Sequence, residues 1–160
     1  APVLNAPRVA TTVLLLFGLL ISAMMYGGHL LIFIDLTSLF CVVVFTVVPV
    51  FIEKVREGRS LLESKLLAAR DYSLATTAIG ILMAWIGILM NHGDHLAIGP
   101  NISIGFLISF YAGLIFMMST MLYRASTGRE IPHLGLTSTA YAVLATFATG
   151  SCYAYIFFLF

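Results

Sequence analysis

The stretch NHGDHLAIGPNISIGFLISFYAGLIF, Asn91 to Phe116, sets a short polar knot against a long apolar run. His92, Asp94 and His95 are residue types that bind Zn²⁺, so the knot reads either as a metal site or as the aqueous turn of a helical hairpin. A structural zinc site normally takes four ligands, each oriented by further hydrogen bonds, and the knot offers three on a glycine-containing turn. His29, in another short polar loop, would have to be the fourth. Histidine and aspartate sit equally well where a hairpin turns in water, and Gly99-Pro100 makes a natural start for a following helix. The turn is the stronger reading, with His92, Asp94 and His95 as weak metal candidates and no metal or other cofactor expected.

The runs flanking the knot decide the fold. Apolar residues make up 61% of the 160 residues and charged residues 9%, with a mean hydropathy of +1.05. A soluble domain has about 45–50% and 25%. About 20 apolar residues cross a bilayer as a helix, and five segments qualify, near 9–26, 30–52, 72–90, 102–123 and 134–160. The runs are continuous, whereas a barrel needs short alternating segments. The expectation is an all-α integral membrane protein, one membrane domain over residues 1–160, in contact with the lipid bilayer. The first run lacks a small-residue cleavage site after its apolar stretch and leads into another apolar segment, so it reads as a helix and not a signal peptide.

All eight Lys and Arg fall on one side of this arrangement: Arg8, then Lys54, Arg56, Arg59, Lys65 and Arg70, then Arg124 and Arg129. Basic residues near span ends stay cytoplasmic, which puts the N-terminal end inside and the C-terminal end outside in a multi-pass arrangement. A net charge of +1, with the basic residues flanking spans, argues against nucleic acid as a partner. The polar stretch EKVREGRSLLESKLLAARDYS, Glu53 to Ser73, carries Leu61, Leu62, Leu66 and Leu67 at helical spacing among mixed charges. It reads as a helical hairpin (53–71) extending the second and third helices, either merely solvated or docking a partner.

Small residues mark the seams, because helices in lipid associate by close packing. Ser73, Thr77, Gly80, Ala84 and Gly87 repeat at spacings of four and three. Ser138, Ala142, Ala145, Thr149 and Cys152 do the same in the last run, and Gly105, Ser109 and Ala112 form a similar line. Such a repeat implies left-handed packing. Fixed charge within the spans is nearly absent. Asp35 is the exception, close to the outer end of its run, and it either caps a helical turn with Thr37 and Ser38 or coordinates a proton or cation. No nucleophile or metal cluster lies at depth, so no enzyme is expected. Cys41 and Cys152 read as free thiols packing as small apolar groups.

The segment from Ala75 to Phe116 resembles the paired helices of the MotA/TolQ/ExbB family of proton-channel subunits, through Gly87-Ile88-Leu89, Ile98-Gly99-Pro100 and Ser109-Phe110-Tyr111-Ala112. Upstream, Gly27, Gly28, Ile34, Asp35, Ser38 and Leu39 are similar to that family's entry into its second helix. The resemblance covers roughly residues 10 to 120. It implies a homo-oligomer, a pentamer around a dimeric single-span membrane protein whose intramembrane aspartate carries the proton, with Thr77, Gly80, Ala84, Gly87, Ser109, Tyr111 and Ala112 lining the pore or the helix interface. Where the family has threonines this chain has Met83-Ala84 and Ile108-Ser109, so one hydroxyl remains. The cytoplasmic domain is reduced and a fifth helix added. The alternative is a scaffold subunit that conducts nothing.

The charge asymmetry has a direct test. A membrane-impermeant reagent is expected to label residues 92–95 from outside and the segment from Lys54 to Arg70 only after permeabilisation; the opposite pattern would refute this orientation.

Overall fold

In the computed structural model, residues 6–26, 35–91, 93, 95–132, 139–147 and 150–151 are described. Their regular structure is all helical, with no strand among them. We label the helices α1 (Ala6–Tyr26), α2 (Leu36–Ile52), α3 (Leu61–Met90) and α4 (His95–Thr127), with a further helical stretch at 139–147. Two are long and apolar enough to cross a membrane: Leu61–Met90 with mean hydropathy 1.9, and Ile98–Thr127 with 2.0. Helix α2 is shorter, and the beginning of its sequence-predicted span, 30–34, lies outside the described residues.

Helices α3 and α4 form an antiparallel hairpin that dominates the tertiary contacts, with α2 laid across both and α1 touching α4. Their backbones approach so closely that a Cβ on Gly80 would strike the Ile108 side chain, one on Gly105 would strike Ala84 and one on Gly87 would strike Asn101. At Gly80 and Gly105 space requires glycine, since each lies within a regular helix, whereas at Gly87 the obstacle is the end of the flexible Asn101 side chain. Ala78, Ile88, Ile98 and Ala112 on the same two helices are also buried. The sequence stripe is thus an interface within one chain. Thr77 within it is half-buried, and the adjacent, fully buried Thr76 faces α2 instead.

The stretch Glu53 to Ser73 divides in two. Its second half is helical and continuous with the apolar run, because Ser60 caps α3, its hydroxyl accepting from the Glu63 N–H at 3.2 Å. Its first half does not extend α2. The Lys65 ammonium donates to the carbonyls of Val50 (2.7 Å), Phe51 (2.6 Å) and Glu53 (2.7 Å), satisfying acceptors that a helix end leaves open. Residues 53–60 then turn through Gly58 at φ +70, a left-handed conformation that favours glycine.

The start of α4 also differs from expectation. The helix begins at His95, so Pro100 lies inside it and not at its first position. Proline there removes the N–H that would bond the Leu96 carbonyl, a loss limited by its location where Leu96, Gly99 and Pro100 are all exposed.

Helix α2 contains a π turn at Val43–Val47, closed by the Val48 N–H donating to the Val43 carbonyl. The wide turn precedes Pro49, which has no N–H to offer the preceding turn. It leaves Ser38, Cys41 and Val42 buried before it and Thr46 buried within it. Cys41 and Val42 pack with Ile108, flanked by Ile104, Tyr111 and Ile115, into the core where α2 meets α4.

The glycine seam sets the next expectation. Gly80→Leu forces side-chain atoms into Ile108 and should destabilise the chain by about 1–3 kcal/mol, whereas the same change at the uncrowded Gly113 should be far milder. Thermal unfolding of both variants in one detergent measures the difference, and equal melting would refute the close approach at Gly80.

Candidate functional site

The candidate pore or interface residues occupy three environments. Gly80, Ala84, Gly87 and Ala112 belong to the α3/α4 seam. Tyr111 lies beside the core under α2, its ring 5.9 Å from that of Phe110. Thr77 and Ser109 are half-buried, and each hydroxyl turns back onto its own helix, Thr77 to the Ser73 carbonyl at 3.0 Å and Ser109 to the Gly105 carbonyl at 2.8 Å. This satisfies the hydroxyl proton locally and is the usual state of Ser and Thr inside helices.

Asp35 sits at the N-cap of α2. Its Oδ2 accepts from the Ser38 N–H at 2.7 Å and from the Ser38 hydroxyl at 2.6 Å, an arrangement that satisfies first-turn donors with a carboxylate. Of the two sequence readings, the geometry supplies the cap. Ser38 is fully buried and lies 3.4 Å from the Ile104 carbonyl, which places the cap against α4.

Among the described residues, no group of three His, Cys, Asp or Glu side chains gathers as a metal site. His92 and Asp94 lie outside the described residues, as do His29 and, in the last stripe, Ser138, Thr149 and Cys152. His95 is the first residue of α4. Ala145 is buried and Ala142 half-buried within 139–147.

Sequence reasoning missed the hydroxyl pair that joins α2 to α3. Thr46 and Thr76, both fully buried, place their Oγ1 atoms 2.6 Å apart. The Thr76 hydroxyl donates to the Tyr72 carbonyl at 2.9 Å, and a hydroxyl has one proton, so Thr46 is the donor to Thr76. The signal was present: Thr46 is the one hydroxyl residue between Ser38 and Glu53, three residues before a proline. The pairing itself needed the π turn to aim it.

A charged clasp lies at the Ser60 end of the hairpin. Asp71 Oδ1 accepts from Arg70 Nε at 3.0 Å and Nη2 at 2.9 Å, and its Oδ2 faces Arg56 Nη1 at 3.5 Å. Arg56 also meets Glu53 at 3.1 Å, whose other oxygen accepts from the Tyr72 hydroxyl at 3.0 Å. Buried Arg70 further donates to the Pro132 carbonyl at 2.9 Å. The connection 53–60 and the segment after α4 are thereby tied to one turn of α3.

No protein-family model, curated protein or solved structure matches this chain. The geometry therefore carries the functional argument. It presents a close-packed helix hairpin in which Thr77 and Ser109 bond their own helices, and a cluster of charged side chains at its Ser60 end.

The polarity of the threonine pair makes its two halves unequal. Thr76→Val strands the buried Thr46 donor and should cost about 1–3 kcal/mol, while Thr46→Val leaves Thr76 still bonded to Tyr72 and should cost less. Equal losses of thermal stability would contradict the assigned donor.

Proposed function

We propose that this chain is a MotA/TolQ/ExbB-like membrane subunit that assembles as an oligomer, a pentamer, around a single-span partner helix in a proton-coupled motor or transport complex. It resides in a bacterial inner membrane with five spans, the N-terminal end cytoplasmic and the C-terminal end outside. One observation supports this most: two apolar helices of membrane-crossing length form a hairpin in which Ser73 to Met90 and Ile98 to Tyr123 hold no Asp, Glu, Lys or Arg. A proton crossing about 30 Å of hydrocarbon needs titratable groups or a file of water. The hairpin supplies a rigid wall and the partner's aspartate supplies the titrating group. Asp35, held by Ser38 at the start of α2, takes no part in the path in this reading.

A second reading is favoured by the hydroxyls. Thr77 and Ser109 both bond their own helix, and Thr46 and Thr76 bond each other, so none of the four offers a free donor. A non-conducting scaffold or accessory subunit of a larger membrane assembly needs nothing more. The partner separates the two readings.

Purification from native membranes should bring down a protein with one membrane helix bearing an aspartate, and vesicles holding both should show proton flux that this chain alone does not. Association only with multi-span or cofactor-carrying subunits, and no flux in either preparation, would establish the scaffold. Flux from this chain alone, abolished by Asp35→Asn, would overturn the proposal and move the site to Asp35.

A further inference from the structure

We propose that the connection between α2 and α3, with the helix ends beside it, is an edge that binds the headgroups of anionic phospholipids through Lys54 and Arg59. The inference rests on the membrane reading above and adds which lipid chemistry this segment selects. Phe51, Ile52, Val55, Leu61 and Leu62 are between 52% and 78% exposed, five large apolar side chains bare within one short turn. Water alone is a poor environment for such a cluster. The cluster continues the exposed apolar face of α2, where Phe40, Val43, Val44 and Val48 are also bare. The edge of a bilayer accommodates it, apolar side chains inward and charged ends at the headgroups.

The charges divide by role. Glu53, Arg56, Arg70 and Asp71 neutralise one another in the clasp, and the Lys65 ammonium is occupied by three carbonyls. Glu63 lies in the first turn of α3, where the partial positive charge of the helix N-terminus offsets a carboxylate. Lys54, Glu57 and Arg59 remain, with no side-chain partner among the described residues, two cations against one anion. Their long stems can cross the apolar cluster while the charged heads reach phosphate. Exposed apolar bulk beside uncompensated basic charge is the complement of an anionic headgroup, and a zwitterionic one offers no net charge to match.

The one native tryptophan, Trp85 in α3, makes the test clean. Full-length protein is reconstituted into phosphatidylcholine vesicles carrying a fixed minor fraction of lipid brominated near the headgroup end of its chains, as either phosphatidylglycerol or phosphatidylcholine. Quenching is read from native Trp85, and from position 55 in Val55→Trp combined with Trp85→Phe. At position 55 brominated phosphatidylglycerol should act as though locally enriched about threefold over brominated phosphatidylcholine, as expected for a small net positive charge near the surface. The enrichment should disappear on adding Lys54→Gln and Arg59→Gln, and Trp85 should show none. Equal quenching by the two lipids at position 55, enrichment that survives the double substitution, or no quenching there at all would overturn the proposal. In each of these results quenching of Trp85 by deep-brominated phosphatidylcholine would leave the membrane reading standing. Absence of that quenching would overturn both.

Discussion

The close approach of α3 and α4 governs everything else in this chain. Two long apolar helices gain little from hydrophobic exclusion if their surroundings are equally apolar, and what holds them is contact at short range. Gly80 and Gly105 let Ile108 and Ala84 seat against the opposite backbone. Helix α2 then has a ready-made surface, meeting α4 through Cys41 and Val42 and α3 through Thr46. Lys65 can close the end of α2 only because α3 already presents it there.

Helical character and the small-residue stripe were legible in the sequence because both depend on local spacing. A run of apolar residues of bilayer length, and Gly80, Ala84 and Gly87 recurring at three and four, are properties of a single helix. The choice between Thr76 and Thr77 was not legible, since it depends on where α2 crosses and on the π turn that aims Thr46. The end of α2 was equally hidden. Residues 53–56 contain neither glycine nor proline, and their departure from the helix comes from an ammonium group twelve residues downstream of Glu53 reaching back to it. The Asp35 cap was legible in kind, because aspartate followed three residues later by serine in an apolar run is a local signal.

The clasp shows how mixed charge is used. A sequence count treats Glu53 to Asp71 as a nearly balanced polar face, but the structure spends its charges unequally. Asp71 serves two arginines, Glu53 serves Arg56 and Tyr72, and Lys65 serves no carboxylate at all among the described residues. The charges left over are consequently few: Lys54, Glu57 and Arg59.

The hairpin's two ends answer to different variables of the environment. Along the seam toward Met90, side chains seated over glycine resist separation by their shape, and dissolved ions have no purchase on such contacts. Toward Ser60 the hydroxyls of Ser73, Ser119 and Ser126 bond within their own helices, and that of Ser64 donates to the Ser60 carbonyl and accepts from the Arg56 N–H, so none of these bonds joins α3 to α4. Charge is added at that end, where buried Arg70 reaches the Pro132 carbonyl beyond α4, a contact that screening reaches weakly, and the more exposed Arg56 ties the 53–60 connection to Asp71 of α3, a contact that screening reaches readily. Ionic strength therefore acts first on the connection between α2 and α3 and leaves the glycine seam untouched.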